Sequence, residues 1–312
     1  MDGRLQVFSG NGNRQLAEDI MRVLEAPLGR AVIGSWSDGE TRVKLEENVR
    51  GSDVFAIQAL SHPVNHHLME LLIMIDAIKR ASASRVTAVI PYFAYAKQEK
   101  KTAGREPISA SLVAQMLMTA GVDRVVTLDL HSPAIEGFFQ VPVDHLRATP
   151  MLASTFRRMG ISDLVAVSPD SGGVARAEDF RVRAGASLAV ASKKRPSPEE
   201  AEVLEVVGDV EGKTAVIVDD MISSGSTMVR CAHKLIERGA RHVYAAAVHP
   251  ILSGDASEML ENSPIQKLYV TDTLQIAERN NTDRLEVLTV APLLAEAIMR
   301  IHKDLSISAL FS

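Results

Sequence analysis

One pattern occurs twice in this chain. VFAIQAL at 54–60 is followed by a helix-period segment and then by ASRVTAVIPYF at 83–93, and AVIVDDM at 215–221 is followed by another such segment and then by ARHVYAAAVHPI at 240–251. Each reads as an apolar strand, a crossover helix, a second apolar strand and a proline, which is how two strands come to run parallel in one sheet. A parallel sheet buries both faces, so helices must cover it, and a chain that repeats this unit is committed to an α/β fold. An internal duplication follows, with a boundary near Leu146 to Thr149 and domains over 1–147 and 148–312. A length of 312 residues suits two domains of ordinary size.

Apolar runs predict strands at Leu5–Phe8, Ala31–Ile33, Val54–Gln58, Val86–Ile90, Val125–Leu128, Leu164–Val167, Leu188–Ala191, Ala215–Val218, Val243–Val248 and Lys267–Val270. Helical spacing predicts helices at about 15–24, 65–81, 109–120, 150–159, 174–183, 228–238 and 293–302. In such sheets ligands bind beyond the carboxyl ends of the strands. The motifs with chemical content cluster at those positions.

The composition, 46% hydrophobic and 23% charged, is globular, and a formal charge of −5 argues against a general nucleic-acid or membrane-surface binder. The single cysteine, Cys231, has no internal disulfide partner, which fits a reducing compartment. The opening MDGRLQVFSG lacks a signal-peptide core, and the most apolar helix, 68–78, is interrupted by Glu70 and Asp76. A cytoplasmic enzyme with neither membrane nor nucleic-acid partners is expected.

The richest motif is TAVIVDDMISSGST, 214–227. A strand that ends in paired carboxylates and feeds a Ser/Gly turn at a helix start can hold a phosphorylated ribose. The carboxylates accept from vicinal hydroxyls, while unpaired backbone N–H groups and side-chain hydroxyls donate to the phosphate. A plain N-capped helix would explain the serines but not Asp219 beside Asp220, whose repulsion a ligand or cation must offset. A Walker B strand would need a P-loop. The nearest candidate, 208–214, is one residue short of that spacing and leads into a strand, not a helix. Gly10-Asn11-Gly12 is likewise too little for a dinucleotide fingerprint.

Two further motifs follow strands. Asp129-Leu130-His131 puts an imidazole past the strand ending at Leu128, and Ser168-Pro169-Asp170-Ser171-Gly172-Gly173 puts a carboxylate before glycines at a helix start. Alone, His131 reads as a hydrogen-bonded structural histidine. Asp170 with Ser171, Gly172 and Gly173 suits a polyphosphate carrying Mg²⁺, because glycines let phosphate approach backbone N–H groups. The basic segment containing Lys97, Gln98, Lys100, Lys101 and Arg105 reads either as a solvated loop or as a closing flap. Lys193-Lys194-Arg195, past the strand ending at Ala191, is a solubilising turn or a cation set for phosphoryl transfer. Trp36, the one tryptophan, stands with Asp38 and Glu40 where a purine could stack, or where a β-turn flanks a core residue. His62, His66 and His67 are structural or surface residues, since adjacent histidines at a helix start project in different directions.

Taken in order, these motifs and their neighbours match one family almost end to end. SDGE and ENVRG, LMELLIMIDAIKRASA, PYFAYAKQEKK with REPISA, TLDLHSPAIEGFF, SPDSGGVARA, KKRP, VDDMISSGST, HPILSG, LLAEAI and SISALFS resemble the ribose-phosphate pyrophosphokinases, also called phosphoribosyl pyrophosphate synthetases. The resemblance implies two phosphoribosyltransferase-like domains, MgATP and ribose 5-phosphate as substrates, and a homo-oligomer, usually a hexamer built from dimers. By position it implies that Asp219 and Asp220 hold the ribose hydroxyls, and that Ser223, Ser224, Gly225, Ser226 and Thr227 hold the 5-phosphate. His131 and Asp170 would hold Mg²⁺ on ATP. Lys193 and Arg195 would stabilise the transition state, with Lys100 and Lys101 on the closing loop. Trp36, Asp38 and Glu40 would reach adenine from a neighbouring subunit, and Lys97 and Gln98 from their own. Arg50, Ser82 and the tail 306–311 resemble parts of a phosphate/ADP regulatory site.

Four positions depart from the family pattern: Ser223 for an aspartate, Ser226 for a glycine, Trp36 for a phenylalanine and Lys97 for an arginine. The last exchanges a bidentate fork for a point charge. The implied reaction is transfer of the β,γ-diphosphoryl group of ATP to ribose 5-phosphate. Its rivals are a phosphoribosyltransferase, which shares the Asp-Asp turn but needs no ATP site, and a catalytically silent regulatory homologue, which the altered turn would suit.

Overall fold

The structure is a computed structural model describing residues 3–194 and 203–310. The chain forms two compact units, one of Met1–Arg147, Thr273–Gln275 and Val290–Ser312, the other of Ala148–Asp272 and Ile276–Thr289.

In the first unit, β1 (Leu5–Ser9), β4 (Asp53–Ile57), β5 (Arg85–Ile90), β6 (Arg124–Leu128) and β7 (Val143–Leu146) form a parallel sheet in the order β1-β4-β5-β6-β7. Helices α1 (Arg14–Val23), α2 (Val64–Arg80) and α3 (Ser109–Ala120) accompany it. Every residue of β4 is buried, as a strand covered on both faces must be. Strands β2 (Ala31–Ser35) and β3 (Thr41–Leu45) form a separate antiparallel hairpin. Its second strand, TRVKL, alternates charged and apolar residues and was not expected from the sequence.

In the second unit, β8 (Leu164–Ser168), β9 (Ser187–Lys194), β10 (Val203–Val207), β11 (Thr214–Ile222), β12 (His242–Pro250), β13 (Ile265–Thr271) and β14 (Leu285–Leu288) take the order β10-β9-β8-β11-β12-β13-β14. Only the β9–β10 pairing is antiparallel. The helices are α4 (Thr149–Arg158), α5 (Val174–Ala184), α6 (Ser226–Glu237) and α7 (Ala256–Glu261). Helix α6 buries Met228, Cys231, Ala232 and Leu235, one face at helical spacing, against Val165, Ile217, Val243 and Ala245 of the sheet. Phe156 packs edge-on against Phe180 and Tyr269, with centroids 5.5 and 4.8 Å away.

The two repeated units of the sequence appear as β4–α2–β5 and β11–α6–β12, each a pair of parallel neighbours. The C-terminal helix α8 (Ala291–His302) packs on α1 in the first unit, whereas the sequence reading carried the second domain through residue 312. Its apolar face explains the placement: Leu294, Ala295, Ile298 and Ile301 are all buried. Asp53, fully buried on β4, holds its far end by accepting from Arg85 at 2.8 and 2.7 Å and pairing with His302 Nδ1 at 2.9 Å. Arg85 also donates to the Ile301 carbonyl at 2.8 Å.

Candidate active site

Sheet order singles out one place in the second unit. From β8 the chain proceeds to β9 and β10 on one side, and from β11 to β12 and β13 on the other, so the neighbours β8 and β11 straddle a topological switch point. The crevice beyond their carboxyl ends is where open parallel sheets bind ligands.

The two strands are unequal there. Pairing of β11 with β8 covers Thr214 to Ile217, while pairing with β12 runs on to Ile222. Asp219 and Asp220, expected at the strand's end, therefore lie inside β11, which continues to Ile222 beyond the Ala215–Val218 run read from the sequence. They occupy the stretch of β11 beyond its last pairing with β8, where Asp220 N donates to Asp219 Oδ1 at 2.9 Å. The physical reason is that β12 is long enough to keep supplying ladder partners, up to Ile222 opposite Pro250.

Arg176, on the first turns of α5, fills the gap. It donates to Asp219 Oδ1 at 3.0 Å and lies 3.5 Å from Asp220 Oδ1. Burial and the neighbouring Asp220 push the Asp219 carboxyl well above the usual range, and Arg176 opposes this. Arg176 lies within the SPDSGGVARA motif, where the sequence alone gives it no role.

Before α5, Asp170 Oδ1 accepts from the N–H groups of Gly172 and Gly173, both at 2.9 Å. A carboxylate oxygen thus occupies the anion position at this helix start, and Oδ2 makes none of these bonds. Gly173 is tight, because a Cβ would lie 2.9 Å from Ser168 Oγ. After β11, Gly225 turns the chain at φ 78 into α6, where a side chain would be strained. Ser224 Oγ sits 3.1 Å from Ser226 Oγ, and Ser223 Oγ 3.2 Å from Ser253 Oγ. Ser253 N also donates to the Ser223 carbonyl at 3.1 Å. Thr227 is half-buried in the first turn of α6.

The remaining expected residues of this unit are only partly placed. Strand β9 extends through Lys193, which pairs by backbone with Leu204, so the basic cluster begins within a strand and not past it. Arg195 lies outside the described residues.

In the first unit the expected nucleotide residues fall at three places. Trp36, Asp38 and Glu40 form the tip of the β2–β3 hairpin: Trp36 N donates to Glu40 O at 2.8 Å, and Asp38 Oδ1 accepts from Glu40 N at 3.1 Å. Trp36 is 52% exposed, so it is no core residue, and the Arg42 guanidinium lies 4.5 Å from its ring centre. Lys97, Lys100 and Lys101 are exposed on the segment between β5 and α3, and Gln98 Oε1 accepts from Ser109 Oγ at 2.7 Å. Lys100 pairs with Glu99 at 2.9 Å, and Glu106 folds the loop by accepting from Thr102 N, Thr102 Oγ1 and Ala103 N. His131 is exposed past β6, after Asp129, which has φ 36.

The Gly10–Gly12 segment binds to protein. Glu70, fully buried, accepts from Asn11 N at 2.6 Å, from Asn11 Nδ2 at 2.7 Å and from Gln58 Nε2 at 2.7 Å. His67 is buried with Nδ1 2.9 Å from the Ser61 carbonyl. Gly51 N donates to Ser82 O at 2.9 Å, bringing Arg50 and Ser82 near each other, while Phe311 lies outside the described residues.

Mg²⁺ dehydrates reluctantly and is commonly held by one or two carboxylates plus substrate phosphates. No group of three or more His, Cys, Asp or Glu side chains able to hold a metal occurs among the described residues. Asp170, exposed and with Oδ2 outside the loop's own hydrogen bonds, suits an ion that arrives on a phosphate. No helix among the described residues is long and apolar enough to cross a membrane.

Parallel α/β units with an Asp-Asp strand end and a Ser/Gly turn at a switch point define a phosphoribosyltransferase-like class of enzyme. Comparison with known proteins narrows the class. Residues 5–121 match the N-terminal domain of ribose phosphate pyrophosphokinase, and residues 166–312 match the phosphoribosyl synthetase-associated domain. The ribose-phosphate pyrophosphokinase of Bacillus subtilis is 48% identical over 311 residues, covering 100% of this chain and 98% of that one. That of Corynebacterium ammoniagenes is 48% identical over 312 residues, with the same coverage. The crystal structure of phosphoribosylpyrophosphate synthetase from Mycobacterium smegmatis superposes with a TM-score of 0.92 at 42% identity, covering 96% of this chain and 99% of that one. The chain belongs to the ribose-phosphate pyrophosphokinase family.

Proposed function

We propose that the chain transfers the β,γ-diphosphoryl group of ATP to the anomeric hydroxyl of ribose 5-phosphate, giving 5-phosphoribosyl 1-diphosphate and AMP for nucleotide synthesis. The observation that carries this is the placing of Asp219 and Asp220 on β11 beyond the last β8 pairing, with Arg176 on Asp219 and the turn into α6 following. Asp219 and Asp220 accept from the sugar's vicinal hydroxyls. Ser223, Ser224, Gly225, Ser226 and Thr227 hold the 5-phosphate through hydroxyls and the N–H groups that begin α6. The N–H groups of Gly172 and Gly173 receive the transferred diphosphate when it displaces Asp170 Oδ1.

Asp170 and His131 would hold Mg²⁺, which when bound spreads the charge of the ATP phosphates. The anomeric oxygen forms a bond to the β-phosphorus as the bond to the α-phosphate oxygen breaks, AMP departs and the hydroxyl proton is released. Lys193 and Arg195 neutralise the charge that develops, and Lys100 and Lys101 close over it. Trp36, Asp38 and Glu40 on the exposed hairpin tip reach the adenine of a neighbouring protomer, with Lys97 and Gln98 on the same chain as the nucleotide. The working form is a homo-oligomer, a hexamer built from dimers, in the cytoplasm.

AMP release from ATP and ribose 5-phosphate by a Lys193→Ala, Arg195→Ala double variant tests the assignment. Turnover should fall by orders of magnitude with the circular dichroism unchanged, and near-normal AMP release would refute it.

A further inference from the structure

The bend that carries His131 is held by a side chain acting as a piece of strand. The parallel ladder between β6 and β7 ends with Leu128 opposite Leu146. The next two N–H groups still find acceptors on β7: Asp129 N donates to the Leu146 carbonyl at 3.0 Å, and Leu130 N donates to His145 Nε2 at 2.7 Å. Between them Asp129 takes φ 36, a left-handed conformation uncommon for side-chain-bearing residues but one that aspartate tolerates.

The partners determine the imidazole's proton. Nε2 accepts an N–H and so carries no hydrogen, which leaves the proton on Nδ1, and Nδ1 lies 2.5 Å from Glu136 Oε1, to which it donates. Glu136 belongs to a short 3-10 helix, Pro133–Phe138, that starts two residues after His131. The Glu136–His145 pair therefore grips the segment at both ends, at Leu130 and at Glu136, with His131 between them. The His145 side chain is 4% exposed and that of Glu136 42%. Burial and the nearby Arg147 push the imidazole down to about 4, so Nε2 remains an acceptor at neutral pH.

We propose that His145 and Glu136 are positioning residues for the reaction, fixing the Asp129–Ser132 bend so that His131 meets the metal-bound nucleotide in one orientation. The proposal rests on the reading of His131 as a nucleotide-site residue. Partners that orient a metal-facing histidine are typically worth about 10- to 100-fold in affinity or activity.

Four variants decide it: His145→Phe, which keeps the bulk and removes the acceptor, His145→Gln, whose amide oxygen can accept from Leu130 N, Glu136→Ala and His131→Ala. Steady-state AMP formation is measured while ATP, Mg²⁺ and ribose 5-phosphate are varied in turn, and calorimetric binding of ATP with Mg²⁺ in the absence of ribose 5-phosphate, which His145→Phe should weaken and His145→Gln restore, is read without turnover. His145→Phe should lower kcat/KM for ATP by roughly 10- to 100-fold and raise the Mg²⁺ needed for half-activation. Its KM for ribose 5-phosphate should stay within about twofold, His145→Gln should recover most of the loss, and His145→Phe should add little in a His131→Ala background. Should His145→Phe fail to fold, Glu136→Ala carries the test from the half-exposed end, with a smaller loss in the same ATP and Mg²⁺ parameters. A defective His131→Ala beside a normal His145→Phe or Glu136→Ala overturns the proposal alone, as does a loss shared equally by both substrates. A His131→Ala enzyme with normal ATP kinetics overturns the underlying reading of His131 and this proposal with it.

Discussion

Arg176 Nη1 donates to Asp219 Oδ1 at 3.0 Å where β8 has ended and β11 continues. One guanidinium thus serves two carboxylates that would otherwise face each other across the bend, and it does so from the helix that begins at the Asp170 loop.

Replacing Arg176 with methionine keeps the stem and removes the charge. The carboxylate pair then holds a proton more tightly and accepts less well from sugar hydroxyls. The expected result is a fall of roughly 10- to 100-fold in kcat/KM for ribose 5-phosphate, with a smaller change for ATP. Steady-state kinetics with each substrate varied in turn measures it.

The strain between Asp219 and Asp220 should be visible in stability. An acid whose folded pKa is raised contributes stability below its unfolded pKa and loses it as pH rises through the folded value. At pH 7 without ligand or Mg²⁺ the native pair is therefore destabilising, and Asp219→Asn should melt several degrees higher than the parent while losing activity. The difference should shrink as pH falls toward the ordinary carboxylate range. Differential scanning calorimetry at a series of pH values reads both.

His145 gives the opposite slope. Its imidazole, held down to about 4 from an ordinary 6.5, contributes stability that is complete above 6.5 and is lost as pH falls through that interval. The full effect is about 3 kcal/mol. Denaturant unfolding between pH 7 and 4 should show a steeper loss for the parent than for His145→Gln, which has nothing to protonate there.

Asp53, fully buried, depends on Arg85 and His302. Arg85→Leu leaves that carboxylate with one partner and should cost about 3 kcal/mol, the order found when one member of a buried pair is removed. His302→Ala should cost less. Because these contacts tie the end of α8 to β4, limited proteolysis of Arg85→Leu should cut first near residues 303–306.

Much of this architecture was legible in the sequence because the strongest signals are local. Five consecutive buried positions in β4 and in β8 leave no polar alternation to read, only an apolar run of strand length. The four-residue strands β7 and β14 are too short to show a period, and TRVKL of β3 reads as surface until a hairpin partner is supplied. The extent of β11 was missed for a different reason. Asp219 and Asp220 are poor strand formers, and only the length of β12 keeps them in the ladder. Likewise the fate of α8 was set by contacts between Asp53, Arg85 and His302, residues hundreds of positions apart in part, which no local pattern reports. At the candidate site the motif residues could be named from sequence, but Arg176, Ser253, His145 and Glu136 could not. Their importance lies in which atoms face them.

The central claim is that one chain joins a pentose phosphate at the 219–227 bend to the terminal diphosphate of ATP. Phosphorus-31 NMR of the purified protein with ATP, ribose 5-phosphate and Mg²⁺ tests it directly. The account predicts loss of the ATP β and γ signals in step with equimolar AMP and a new sugar-linked diphosphate. ADP with a singly phosphorylated product, or an unchanged ATP spectrum, would contradict it.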